Sequence, residues 1–421
     1  MIIKNLRVTN YKNLKDCNIT PKGLSAITGC NSSGKSNLME VFQFVSLFLA
    51  GSDEERSRLM LGGMPGGTRW TPEYANPGKL EFGIECTLKV NGTDWELEYE
   101  VEIAQASPIG ENRTPYPAQV LLERVHAKEV GKPGKATEVV HRSKEGDTRV
   151  ARTEEPRKKD EFKTKSDMSA LQALEVREAD AFAQRFPVLS EFRTSFLSSN
   201  LLLLNPRKLV KNAFQSKYHQ YSKAAGTIID DFPLYDFLEQ IQKGGDSAEF
   251  DSWLRKLCSI DRIALHETPL NKESSKDSEK DKYTIVVIHQ FGRVLLPHEM
   301  STGCAMMLGM LVAAYSFLHG NGFILLEEPE VYLHPKAIMD LVQFFRNISE
   351  TKSVIFTTHS PVVLNSMWPE EVTLMVPTDG WKSTTRNVAT IKEALDSLDA
   401  GFLSFGDLLQ NNFNISAIDS K

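Results

Sequence analysis

Residues Gly23 to Phe44, GLSAITGCNSSGKSNLMEVFQF, decide how the rest of the chain is read. Gly29-Cys-Asn-Ser-Ser-Gly34-Lys35-Ser36 fills every fixed position of the pattern G-x-x-x-x-G-K-[ST]. Leu24 to Ile27 predicts a short strand entering that loop. Leu38, Met39, Val41, Phe42, Val45 and Phe48 predict a helix leaving it, apolar on more than one face and therefore buried.

The spacing has a chemical reason. Backbone N–H groups along Gly29, Asn31, Ser32, Ser33, Gly34 and into Lys35, Ser36 and Asn37 open into a helix N-terminus, which suits a phosphate chain. A side chain at Gly29 or Gly34 would stand in the way. Lys35 is placed to reach the β- and γ-phosphates, and the Ser36 hydroxyl to ligate Mg²⁺.

Outward from this loop, the 421 residues predict two or three domains rather than one small core. Hydrophobic residues make up 41% and charged residues 25%, the balance of an ordinary water-soluble protein. No apolar run is long enough to span a bilayer, and the Met-Ile-Ile-Lys-Asn start is unlike a signal peptide, so a cytoplasmic protein with no membrane partner is expected. Cys17, Cys30, Cys86, Cys258 and Cys304 are scattered without a C-x-x-C pair, and free thiols are expected rather than a zinc site. A net charge of −6 gives no global footprint for nucleic acid.

Met1 to Pro21 predicts two strands, and residues 51 to 79 an irregular Gly/Pro-rich loop. Lys79 to Val90 and Trp95 to Ile103 alternate about Asn91-Gly92 and predict a hairpin. Residues 123 to 166 hold 13 Lys/Arg against 9 Asp/Glu and are read as a solvated insertion. Helix periodicity recurs in Ser166 to Phe186 and Phe232 to Leu257, with an apolar strand or turn at Phe196 to Pro206. Strands are expected at Tyr283 to His289, Gly292 to Leu296, Gly322 to Leu326 and Ser353 to Thr357, and helices at Thr302 to Phe317 and Pro335 to Ile348. The resulting division is an N-terminal part with the glycine-rich loop and the hairpin (1–105), a charged, mainly helical insertion (106–260) and a C-terminal part that rejoins the first (261–421).

A phosphate loop by itself does not separate kinases, GTPases and ATPases. The C-terminal third separates them. Phe323-Ile-Leu-Leu326 followed by Glu327-Glu328-Pro329-Glu330 is an apolar strand ending in adjacent carboxylates, expected to lie directly beside the P-loop strand with its end over Mg²⁺ and the γ-phosphate. Glu327 is assigned to the metal and Glu328 to the attacking water. A third strand, Val354 to Thr357, ends at His359, where a γ-phosphate sensor would sit.

The P-loop, Leu296-Pro-His-Glu-Met-Ser301-Thr-Gly303, FILLEEPEVYLHP and FTTHSP, in that order, resemble the ATP-binding-cassette ATPases of the RecF and SMC type and the ATPase part of the OLD family. The resemblance implies an α/β fold, with an ABC-type head of mixed central sheet plus antiparallel β subdomain, and ATP and Mg²⁺ as ligands. It further implies that Ser301 and Gly303 form a signature offered to the nucleotide of a second protomer, that Lys12 and Asn13 flank the nucleotide, that Glu330 lies in the D-loop and that His359 is the switch histidine. This chain has Ser-Thr-Gly in its signature and Glu327 where an Asp is more usual, and no Q-loop glutamine is assigned.

About 60 residues follow His359, too few for the TOPRIM nuclease domain of the OLD proteins, so an ATPase with a separate effector, a nuclease or toxin, is expected. The leading expectation is a homodimeric or higher homo-oligomeric ATPase with Lys35, Glu328 and His359 as catalytic residues, a nucleotide-dependent regulator in bacterial anti-phage defence. The alternatives are a RecF-like ATPase that clamps DNA through basic stretches at Arg142 to Lys165 and Lys208 to Lys223, and a slowly hydrolysing scaffold.

Overall fold

The computed structural model describes residues 1–64, 79–104, 117–153, 157–197, 201–202, 247–269, 282–316, 322–378, 382–391, 404 and 406. Its strands in chain order are β1 (Ile2–Tyr11), β2 (Leu14–Ile19), β3 (Leu24–Thr28), β4 (Lys79–Val90), β5 (Thr93–Ala104), β6 (Gln119–Glu129), β7 (Thr137–Arg142), β8 (Asp147–Ala151) and β9 (Lys159–Lys163). They continue with β10 (Leu201–Leu202), β11 (Arg262–Pro269), β12 (Lys282–Gln290), β13 (Arg293–Leu295), β14 (Ile324–Glu327), β15 (Val354–Thr357), β16 (Val372–Pro377) and β17 (Ser383–Asn387).

Fourteen of these make one sheet in the order β10-β14-β15-β3-β16-β17-β2-β1-β4-β5-β6-β7-β8-β9, and β11-β12-β13 make a second, three-stranded sheet. The segment from β10 to β16 is parallel. From β1 through β9 every pairing is antiparallel. The two halves differ because their sequences differ. β3, β14 and β15 are short and apolar on both faces, and period-2 alternation sends their side chains into two separate cores. Ile27, Leu325 and Ile355 pack with the Lys35–Ala50 helix and the Pro187–Leu197 helix. Leu24, Ala26, Ile324, Leu326, Val354 and Phe356 pack with the Thr302–Ser316 and Pro335–Ser349 helices.

The antiparallel half has one apolar face. Leu97, Tyr99, Val101 and Ile103 of β5 are buried, while Glu96, Glu98 and Glu100 between them face cations of β1, with Lys4 2.8 Å from Glu96 and Arg7 2.9 Å from Glu100. The β4–β5 hairpin turns at Asn91 and Gly92, both at positive φ, as the expected Asn-Gly signal requires.

Three expectations are corrected. The Gly/Pro-rich stretch begins with a helix, Asp53–Met60, started by a capping box in which Ser52 and Glu55 exchange backbone bonds, while residues 65 to 78 lie outside the described residues. Within 106–260 the described chain is strand before it is helix: β6 to β9 extend the sheet, because charges alternating with Val120, Val125, Val140 and Val150 belong to the solvent face of a half-buried sheet. The helical part that follows is Ala170–Glu178, Phe182–Arg185, Pro187–Leu197 and Ser247–Trp253, and residues 203 to 246 lie outside the described residues. Finally, β14 is not beside β3. The strand ending at His359, β15, is hydrogen-bonded to both and lies between them.

Candidate nucleotide site at the ends of β3, β14 and β15

Because β3, β14 and β15 run parallel, their C-terminal ends open on one edge, and each delivers one motif there. β3 ends in the P-loop. Gly29 and Gly34 stand at φ 151° and 97°, and a Cβ on either would lie 2.8 Å from Met375 O or 2.6 Å from Asn13 Oδ1. Both positions therefore require glycine on conformational and steric grounds at once. Ser32 is at φ 63°, and Ser33 N–H returns to Cys30 O at 3.2 Å, which closes the loop. The Ser33 hydroxyl is buried without a hydrogen-bond partner among the described residues.

Lys35 lies buried at the base of the loop, donating to Gly29 O at 3.0 Å and Cys30 O at 2.9 Å. Burial lowers its pKa, and the nearby Cys30, Glu328 and Glu327 oppose that shift. Ser36 donates its hydroxyl to Glu327 Oε1, which links the start of the P-loop helix to the end of β14 across the intervening strand. Glu328 Oε1 lies 3.7 Å from His359 Nε2. The His359 pKa is lowered by burial and then by the Lys35 charge, with Glu328 pulling the other way, so the imidazole is neutral at pH 7. Lys35, Ser36, Glu327, Glu328 and His359 thus form one continuous cluster.

Asn13 is buried behind the loop. It accepts from Asn37 Nδ2 at 2.7 Å and donates to Ser383 Oγ at 3.4 Å and Ser32 O at 3.5 Å, so the β1–β2 turn, P-loop and P-loop helix are tied together. Lys12 is paired with Glu40 of the same helix and stands 5.9 Å from the Tyr11 ring centroid. Ser301 and Gly303 gather elsewhere: Ser301 Oγ caps the Thr302–Ser316 helix by accepting Cys304 N–H at 3.3 Å, and a Cβ on Gly303 would meet Tyr332 O at 3.0 Å. Gly303 thus stands against the Glu327–Leu333 loop, where Val331 and Tyr332 are exposed.

Two participants, Thr357 and Thr358, escaped the motif reading. Thr357 accepts the Glu328 N–H through both its carbonyl and its hydroxyl, and Thr358 donates its hydroxyl to Glu330. Glu330 also accepts the His359 N–H at 3.2 Å. The two threonines were visible as the Thr-Thr of FTTHSP, but nothing in one sequence announces that they grip the loop after β14.

The donor set fits a hard divalent cation. A serine hydroxyl and a carboxylate are oxygen ligands of the kind Mg²⁺ takes, and among the described residues no group of three or more His, Cys, Asp or Glu side chains forms a self-sufficient metal cage. An ion here would complete its shell with phosphate oxygens and water. Of the two basic stretches considered for DNA, Lys208 to Lys223 lies outside the described residues. In the other, Arg142 is fully buried and donates to Val120 O and Lys165 O, each at 2.9 Å, while Arg149 and Lys163 pair with Glu161 and Asp147. Among the described residues no helix is long and apolar enough to cross a membrane.

The chain is 26% identical over 175 residues to Protein ea59 of Escherichia phage lambda, a match covering 41% of this chain and only 30% of that protein. Among solved structures, an SmcHead bound to the C-winged helix domain of ScpA has a TM-score of 0.49 at 16% identity, covering 94% of this chain and 100% of that one. The SMC head domain from Thermotoga maritima has a TM-score of 0.41 at 13% identity, covering 92% and 99%. An Smc head with an extended coiled coil, bound to the C-terminal domain of ScpA and derived from Pyrococcus furiosus, has a TM-score of 0.43 at 13% identity, covering 94% and 99%. A family profile matches residues 24 to 365, from the first residue of β3 past the His359 strand. With its P-loop, β14 carboxylates and β15 histidine all inside that span, the chain belongs to the P-loop ATPase family described as "AAA domain, putative AbiEii toxin, Type IV TA system".

Proposed function

We propose that this chain hydrolyses ATP at the Lys35–Glu328–His359 cluster and uses the cycle of binding and hydrolysis to regulate a separate effector protein. The convergence of those three side chains, with Ser36 joined to Glu327, is the observation that carries the reading. The P-loop backbone and Lys35 bind the phosphates of ATP, and Asn31, Ser32, Ser33, Gly34 and Asn37 line the cradle. Ser36 and Glu327 would hold Mg²⁺, which when bound neutralises phosphate charge.

Glu328 orients the attacking water and takes its proton, the role its position beside His359 permits. His359, neutral at pH 7, is free to offer a hydrogen bond to the γ-phosphate without adding a charge. Ser301 and Gly303 complete the site of a second copy, so that ATP closes a dimer and hydrolysis opens it. The place of Gly303 beside exposed Tyr332, in the loop after β14, supports that role. The separate effector and the anti-phage setting rest on the resemblance and on the toxin–antitoxin term in the family description.

Purified wild type is expected to hydrolyse ATP, Glu328→Gln to bind ATP as a dimer with turnover reduced by about 100-fold or more, and Lys35→Ala to lose nucleotide binding. Turnover and mass are read with and without nucleotide. Wild-type turnover in Glu328→Gln removes the assigned base and the reading with it. For the effector, affinity purification with the products of neighbouring genes is expected to recover a nuclease or toxin in a nucleotide-dependent manner. Recovery of no such partner in any nucleotide state refutes that part.

A further inference from the structure

Glu330 closes the run Glu327-Glu328-Pro329-Glu330, yet its side chain turns back toward β15. Its Oε1 accepts the Thr358 hydroxyl and, at 3.2 Å, the backbone N–H of His359. One residue pair earlier, Glu328 N–H reaches Thr357 O and Oγ1, each at 3.2 Å. Glu328 is held at φ 44°, a left-handed conformation that a non-glycine residue keeps only when its surroundings impose it. The loop then closes on itself through Val331 N–H to Glu328 O at 3.1 Å and Leu333 N–H to Glu330 O at 3.0 Å. Beyond the last sheet pairing, Glu327 with Thr357, these side-chain and loop bonds are what tie the two strand ends together.

We propose that Glu330 is a positioning residue for hydrolysis: its carboxyl ties the loop carrying Glu328 to the peptide of His359 and so sets the 3.7 Å approach of those two side chains. The proposal rests on the roles given above to Glu328 and His359, and deepens them. Burial, with the Glu328 charge adding to it, raises the Glu330 pKa. What the geometry uses is an oxygen acceptor, and a glutamine supplies one. Its amide nitrogen would take the buried position of Oε2, which has no partner among the described residues, so recovery is expected to be substantial and incomplete.

The test compares Glu330→Ala, Glu330→Gln and Thr358→Val with wild type for kcat, KM and the ring chemical shift of His359 in ¹³C-histidine-labelled protein. Glu330→Ala is expected to lower kcat about 30- to 100-fold with KM for ATP changed by less than about twofold, and to move the His359 resonance. Glu330→Gln is expected to stay within about threefold of wild-type kcat and to leave that resonance in place. Thr358→Val approaches the same bond from the other strand and stands in if Glu330→Ala does not fold. Where both fold, its loss is expected not to add to that of Glu330→Ala in the double variant. A wild-type kcat in Glu330→Ala and Thr358→Val, an unmoved His359 resonance, or a Glu330→Gln as impaired as the alanine overturns the proposal. Failure of the hydrolysis reading itself is seen separately, as wild type without turnover, and the His359 resonance then still decides the positioning role.

Discussion

Replacing Gly34 with alanine isolates what the P-loop geometry demands, because Gly92 supplies a matched control. Both glycines have positive φ, 97° and 83°, so alanine meets backbone strain of about 1–2 kcal/mol at each. At Gly92 a Cβ finds nothing within 4 Å. At Gly34 it falls 2.6 Å from Asn13 Oδ1, 2.8 Å from Asn13 Nδ2 and 3.0 Å from Leu14 Cδ2. Asn13 has no room to retreat, being only 6% exposed and bonded to Asn37 and Ser383. Displacing it sacrifices at least the 2.7 Å bond from Asn37, about 1 kcal/mol, and crowds Leu14. The unfolded-state gain of Gly→Ala, about 0.4–1 kcal/mol, is common to both variants and cancels in the difference. Gly34→Ala is therefore expected to be about 1–3 kcal/mol less stable than Gly92→Ala in urea unfolding followed by circular dichroism. It is also expected to lose about tenfold or more in affinity for a fluorescent ATP analogue, which Gly92→Ala keeps. Equal stability of the two variants, or unimpaired nucleotide binding by Gly34→Ala, refutes the account of the loop.

Two further outcomes concern groups away from the nucleotide. Arg142 is a fully buried cation beside Glu123 whose two terminal nitrogens donate to backbone carbonyls, so Arg142→Met is expected to destabilise the antiparallel half by about 3–5 kcal/mol and to leave any DNA affinity unchanged; a stable variant with weakened DNA binding reverses that reading. Burial lowers the Lys352 pKa from 10.5 to about 8, so the folded state sheds a proton that the unfolded state keeps, and stability falls as pH drops from about 10.5 toward 8. Lys352→Met is expected to remove up to about 1.4 kcal/mol per pH unit from the slope of unfolding free energy in that window, measured by urea titration, and an unchanged slope excludes the buried cation as its source.

How much of this was legible in the sequence depends on how local the determining physics is. The P-loop, Glu327-Glu328 and His359 could be read because each motif sits at the end of a short, mainly apolar strand, and the chemistry of phosphate needs those residue types next to one another. The Asn91-Gly92 hairpin was equally local. The Asp53–Met60 helix carried its own start signal, Ser52-x-x-Glu55, and was hidden by the glycines and prolines after it.

The antiparallel half was misread for a different reason. Along β6 and β7 most of the charged residues that suggested a solvated insertion lie on the outer face of a sheet, and some pair with neighbours on other strands, as Arg124 does with Glu138. A sequence read in order shows the charges and not their partners. Strand order is the extreme case of the same difficulty. Nothing in Val354 to Thr357 says that it will slide between β3 and β14, yet that placement is what brings His359 against Glu328 and lets Glu330 reach across to hold it. The intercalated strand thus brings two motifs separated by about 30 residues to one edge of the sheet, where Glu328 and His359 lie 3.7 Å apart, and Thr357, Thr358 and Glu330 join the two strand ends only through that topology. It follows that motif matching finds the groups expected to meet a nucleotide, while the groups that join the two strand ends are found from the register of β14 against β15.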